Sequence, residues 1–84
     1  MHEILLSSRA QRDLRGLPPD VFERIIPAIR GLARAPRPKG CRKIVGSHSD
    51  WRLRVGDYRV VYEIDDAERT VRIMYVRHRR DAYR

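Results

Sequence analysis

The sequence predicts an α+β fold in which two N-terminal helices pack on one face of a twisted antiparallel β-sheet, in the order β-α-α-β-β-β-β. Two observations carry this. Residues 8–34 place apolar side chains at helical spacing, whereas residues 51–77 alternate apolar and polar side chains around two turn signals, Gly56-Asp57 and Asp66-Ala67-Glu68-Arg69. Helices gathered at one end and an antiparallel meander at the other close both layers over one core. At 84 residues the chain has room for a single domain, 1–84. Its 42% hydrophobic content sets it apart from a disordered chain, even with 36% charged residues.

His2 to Ser7 reads as the first strand, built on Ile4, Leu5 and Leu6. Ser8 stands three residues before Gln11, the spacing of a capping box, and starts a short helix with Ala10, Leu14 and Leu17 along its inner stripe. Gly16 and Pro18-Pro19 end it. The second helix runs from about Pro19 to Arg34, with Val21, Phe22, Ile25, Ile26, Ile29, Leu32 and Ala33 on its apolar face. Pro27 lies inside it and removes one backbone hydrogen bond, which predicts a kink near Glu23. Ala35 to Arg42 is a basic loop punctuated by Pro and Gly, Lys43 to Gly46 a short strand, and residues 47–50 a turn. Trp51 to Val55 and Tyr58 to Asp65 form a hairpin over the two-residue loop Gly56-Asp57. Thr70 to Arg77 is the last strand, and His78 to Arg84 an irregular or one-turn tail.

The two hairpins fix a register. A two-residue loop sets Val55 opposite Tyr58, Arg54 opposite Arg59, Leu53 opposite Val60 and Trp51 opposite Tyr62; a four-residue loop then sets Glu63 opposite Arg72 and Ile64 opposite Val71. Alternation gathers Trp51, Leu53, Val55, Tyr58, Val60 and Tyr62 on the core face, continued through Ile73 and Tyr75, and leaves Arg52, Arg54 and Arg59 on the other. Like charges facing each other across strands cost a few tenths to about 1 kcal/mol. A phosphate held between two guanidinium forks converts that repulsion into a paired site, so Arg54 and Arg59 are read as an anion site. The tail emerges beside the Tyr58 strand, which lets His78, Arg79 or Tyr83 fold over the same face.

The net charge of +8 arises from 19 basic and 11 acidic residues, and only Lys39 and Lys43 of the basic ones are lysines. The excess is local: +6 over residues 34–59 and +3 over 77–84, against +1 over 1–33 and −2 over 60–76. Codon bias toward arginine would spread evenly along the chain. Clustering points instead to a surface for a polyanionic partner such as nucleic acid. The single Cys41 and the three histidines His2, His48 and His78 fall in no metal-ligand spacing, so neither a disulfide, a metal nor any other cofactor is expected. The Ile4-Leu5-Leu6 run is too short for a signal peptide or membrane span, so a cytoplasmic protein with no membrane partner is the expectation.

Two blocks, WRLRVGDYRVVYEIDD over residues 51–66 and VRIMYVRHRRDAYR over 71–84, together with the A-x-R-D-L-x-x-L-P pattern from Ala10 to Pro18, resemble the RelE toxins of the RelE/ParE superfamily across essentially the whole chain. The resemblance implies a toxin of a type II toxin-antitoxin system, neutralised by a cognate acidic antitoxin. It also implies an endoribonuclease that cuts mRNA in the ribosomal A site, without a metal, by attack of the ribose 2′-hydroxyl on the adjacent phosphate. By position it assigns Arg59 to the phosphate, Arg79 as a second arginine and Tyr83 as the C-terminal tyrosine. Arg52 and Arg54 occupy positions held by lysine in well-studied members, and arginine keeps its proton where lysine can be tuned.

Cleavage builds negative charge on the phosphate oxygens and on the leaving 5′-oxygen, and fixed cations aimed there lower the barrier. Arg54, Arg59, Arg79 and Tyr83 are therefore the candidate catalytic residues, with Tyr83 or His78 as the proton acceptor. Arg52, Lys43, His78 and Arg80 make up the candidate RNA-binding set. Two alternatives remain: a ParE-like toxin that inhibits DNA gyrase, and an inactive member kept for antitoxin or operator binding.

Overall fold

The structure, a computed structural model, describes residues 1–47 and 49–82, with Asp81 and Ala82 described by their backbone alone. His48 in the 47–50 turn, Tyr83 and Arg84 lie outside the described residues. The elements are β1 (Glu3–Leu6), α1 (Ser8–Arg15), α2 (Pro19–Gly31), β2 (Cys41–Lys43), β3 (Asp50–Val55), β4 (Tyr58–Asp65), β5 (Thr70–His78) and a one-turn α3 (Arg79–Ala82). Two helices and a five-stranded sheet in the order β-α-α-β-β-β-β match the sequence reading. Spatially the strands run β1-β5-β4-β3-β2. The sheet is mixed, not purely antiparallel: β1 lies parallel to β5, with Glu3 opposite Thr70 and Leu6 opposite Ile73. A chain that leaves β1 through two helices and three strands returns to its side by a long crossover, which permits parallel pairing.

Local boundaries shift by a residue or a few. Ser7, not Ser8, caps α1: its Oγ accepts from the Ala10 N–H at 3.0 Å and donates to the Met74 carbonyl at 2.6 Å. Gln11 donates its side-chain amide to the Leu6 carbonyl at 3.3 Å. Helix α2 stops at Gly31 and unwinds through turns that continue to Arg34. Strand β2 covers Cys41–Lys43, and the predicted Lys43–Gly46 strand is instead a turn, with Ser47 N–H bonded to the Ile44 carbonyl and Gly46 at φ +87°. Gly56 opens the β3–β4 turn at φ +58°, a left-handed conformation that an L side chain adopts only under strain.

The core lies between the helices and one sheet face. Ala10, Leu14, Ile25, Ile29 and Leu32 meet Leu53, Val60, Tyr62, Ile64, Val71, Ile73 and Val76. Phe22, expected on the apolar stripe, is 41% exposed. Tyr62 is fully buried, and its hydroxyl donates to the Pro36 carbonyl at 2.8 Å, fastening the loop after α2 to the sheet. Burial pushes the Tyr62 phenol well above its ordinary value of 10.0. Because the folded chain then holds a proton that the unfolded chain releases, stability conferred by this group is full below about pH 10 and falls as pH rises further. Tyr62→Phe should cost about 1 kcal/mol at pH 8 through the lost hydrogen bond. Urea unfolding at pH 8 and pH 11 should show a smaller alkaline loss for the variant than for the parent.

The same end of the molecule carries an exposed ion network. Asp66 accepts from Arg37 at 2.8 Å and lies 3.1 Å from the His2 ring, and the Arg37 hydrogen bond, helped by His2, holds its carboxyl below the usual range. Arg37 also covers the Trp51 ring at 5.1 Å. This cluster sits away from the arginine face and ties the loop after α2 to the β4–β5 turn.

Candidate anion-binding cleft and family

The β3–β4 register is the one read from sequence: Arg54 lies opposite Arg59, and Val55 opposite Tyr58. Between β4 and β5 the expected pairs Glu63–Arg72 and Ile64–Val71 also form. Then a bulge intervenes. Tyr62 pairs with Ile73 but Val61 with Tyr75, leaving Met74 as the extra residue. Beyond it every side chain changes face relative to the sequence reading. Val76 enters the core, Tyr75 moves to the outer face, Arg77 lies opposite Arg59, and His78 lies opposite Tyr58. Ser7 holds the bulge by bonding the Met74 carbonyl, and its own N–H donates to the Ile73 carbonyl at 3.0 Å.

The outer face therefore carries a row of three arginines, Arg54, Arg59 and Arg77, one from each central strand. A second cross-strand arginine pair, Arg42 opposite Arg52, extends it toward the β2 edge. Between them lies a cleft of about 510 Å³ lined by Gly40, Arg42, Arg52, Arg54, Gly56 and Arg59. Arg59 is only 9% exposed. Its Nη1 donates to the Tyr58 carbonyl at 3.0 Å and, more weakly, to the Gly56 carbonyl at 3.4 Å, which Arg54 Nε also approaches at 3.4 Å. Among the described residues neither Arg54 nor Arg59 pairs with a carboxylate. Two carbonyls satisfy a small part of a five-donor guanidinium, so among the described residues a largely desolvated positive charge has few of its donors engaged.

Arg77 is held differently. Asp13 of α1 accepts the Val76 N–H at 3.0 Å through one oxygen and lies 3.7 Å from Arg77 Nη1 through the other. Strand β1 ends opposite Ile73, so the edge of β5 beyond it would be unpaired. Asp13 covers that edge and steadies the arginine beside Arg59.

The remaining candidates are spread around this centre. Arg79 stands beside the β3–β4 turn and does not line the cleft, its N–H donating to the Asp57 carbonyl at 2.6 Å and its Nε 3.9 Å from the Asp57 carboxylate. Arg80 is exposed and its N–H meets His78 Nδ1 at 3.3 Å. The His78 ring stacks edge-on against Tyr58 at 5.2 Å, on the helix-covered face. Lys43 pairs opposite Trp51 and so also projects from that face, away from the cleft. Tyr83 lies outside the described residues. Sequence reasoning misses Arg42 and Arg77: Arg42 falls in a Pro- and Gly-punctuated stretch that reads as a loop, and Arg77 reaches the outer face only through the bulge.

Fold and face together define a small α+β protein with a built cationic cleft. The model of the ParE toxin of the type II toxin-antitoxin system parDE matches residues 4–83. Toxin RelG of Mycobacterium tuberculosis is 37% identical over 87 residues, spanning 99% of this chain and 97% of that protein. Toxin RelE of the same organism is 33% identical, over 99% of this chain and 87% of its own length. The crystal structure of the toxin-antitoxin complex RelBE2 from M. tuberculosis contains a chain that superposes with a TM-score of 0.81 at 29% identity, covering 92% of this chain and 96% of that one. The chain belongs to the RelE/ParE family of type II toxin-antitoxin toxins. No helix among the described residues is long and apolar enough to cross a membrane.

Proposed function

We propose that this toxin is an endoribonuclease that cleaves mRNA in the ribosomal A site, with the outer-face arginine cleft as its phosphodiester site. The observation that carries the reading is the nearly buried Arg59 between Arg54 and Arg77, whose charge is offset by carbonyl oxygens and, among the described residues, by no carboxylate. A phosphate entering the cleft supplies the missing counter-charge and bidentate acceptors.

In the reaction the ribose 2′-oxygen forms a bond to phosphorus as the bond from phosphorus to the 5′-oxygen breaks. The 2′-hydroxyl gives its proton to a base and the 5′-oxygen takes one up, leaving a 2′,3′-cyclic phosphate and a 5′-hydroxyl. Arg59 and Arg77 hold the non-bridging oxygens, Arg54 faces the charge that develops, and Arg79 adds positive charge from beside the β3–β4 turn. Arg42 and Arg52 hold flanking phosphates. These guanidinium groups supply the positive charge of the scheme without a metal. Tyr83 is assigned as proton acceptor by the family resemblance at its position; the His78 ring is engaged with Tyr58 on the other face.

The partner is an acidic antitoxin that covers the arginine face, in keeping with the RelBE2 complex among the structural relatives. The match to the ParE toxin model favours a second reading, inhibition of DNA gyrase. Induced expression separates them. Rapid arrest of translation with new transcript 5′ ends supports the ribonuclease, whereas intact transcripts with an induced DNA-damage response support the gyrase reading and overturn this one.

A further inference from the structure

We propose that the hollow beside the arginine cleft, floored by Val61, Met74 and Tyr75, holds the base of a nucleotide flanking the scissile phosphate, stacked on the Tyr75 ring. The proposal rests on the ribonuclease reading and adds a base-recognition site to it. On the outer face Val61 pairs with both Arg52 and Tyr75, so this row runs directly beside the row Arg54–Arg59–Arg77. Two residues along a strand span about 6.8 Å. A base joined through its ribose to a phosphate in the arginine row is thereby brought over Tyr75.

The hollow has room for it, at about 410 Å³, and Arg9 and Asp50 stand at its margin. Tyr75 already takes planar cations: the Arg9 guanidinium lies 4.5 Å from the ring centroid and that of Arg77 6.0 Å. A nucleobase offers the same flat face. Arg9 is exposed on the first turn of α1, so it lifts from the ring and stacks on the outer side of the inserted base. Asp50 repels a second phosphate, which leaves the hollow to the uncharged end of the nucleotide. The site exists only because of the bulge at Met74, which turns Tyr75 out of the core.

The test measures binding of a labelled, non-cleavable 2′-O-methyl RNA to the full chain by fluorescence anisotropy. Tyr75→Leu fills the hollow but cannot stack, and should weaken binding about 5- to 150-fold, the range for loss of one stacked base. Tyr75→Phe should bind as the parent does, and both variants should keep the parent's thermal midpoint within a few degrees. An RNA with abasic positions should bind the parent and Tyr75→Leu equally. If Tyr75→Leu binds RNA normally while Arg59→Ala does not, the base site is overturned and the ribonuclease reading stands. If Tyr75→Leu keeps RNA but loses the antitoxin, the hollow is a protein-docking surface and the proposal is overturned. If the parent binds the RNA neither free nor in the A site of a stalled ribosome, both readings fall together.

Discussion

Arg59→Ala should lower RNA cleavage by about 10²- to 10³-fold, the loss expected when one preorganised donor to a developing oxyanion is removed, equivalent to about 2.7–4 kcal/mol of barrier. The variant should remain folded. Arg59 makes two carbonyl hydrogen bonds, and its removal relieves repulsion from Arg54 and Arg77 on either side. That relief is worth a few tenths to about 1 kcal/mol per facing pair and offsets the lost bonds. Thermal unfolding should therefore move little while toxicity disappears. Arg59→Lys should recover only part of the activity, because a lysine keeps the charge but not the two-pronged grip. A variant that loses toxicity and stability together would make Arg59 a packing residue.

Ile25→Ala should be the most damaging change in the core. Ile25 is fully buried on α2 and is among the largest such side chains. Truncating it removes transfer free energy and leaves a cavity, about 2–5 kcal/mol together. A domain of 84 residues has roughly 4–13 kcal/mol to lose. At about 4–8 °C per kcal/mol for this size, the thermal midpoint should fall by roughly 8–40 °C, measurable by circular dichroism. Phe22→Ala, one turn earlier and 41% exposed, should cost far less. Equal losses at the two positions would contradict the packing of α2 described above.

The order of elements was legible because each local signal was unambiguous. The i, i+4 stripe of α1, the glycine at the β3–β4 turn and the alternation through Trp51–Val55 and Tyr58–Asp65 all agree with one another. They placed Arg54 across from Arg59 correctly. The rest was hidden where alternation fails. Ile73, Met74, Tyr75 and Val76 are all apolar, so either face is acceptable to each and nothing in their order marks Met74 as the extra residue. What decides it is tertiary: Ser7 bonds the Met74 carbonyl and Asp13 takes the Val76 N–H, both from a segment more than sixty residues away. That shift brings Arg77 into the arginine row and turns His78 toward Tyr58. Lys43 departs from the sequence reading for a simpler reason. A three-residue edge strand beginning at Cys41 puts it beside Trp51, whereas a strand beginning at Lys43 carried no such register.

The chemistry of the cut ends tests the central claim most directly. Purified toxin should be added to ribosomes stalled on an mRNA, and the termini of both fragments mapped for transcripts with a 2′-hydroxyl or a 2′-O-methyl group at the A-site codon. The arginine-cleft account predicts a 2′,3′-cyclic phosphate upstream, a 5′-hydroxyl downstream, no cleavage of the methylated transcript and cleavage by Arg59→Ala slower by about 10²- to 10³-fold. Cleavage that persists on the methylated transcript, or mRNA left intact by a toxin that still halts growth, would contradict it.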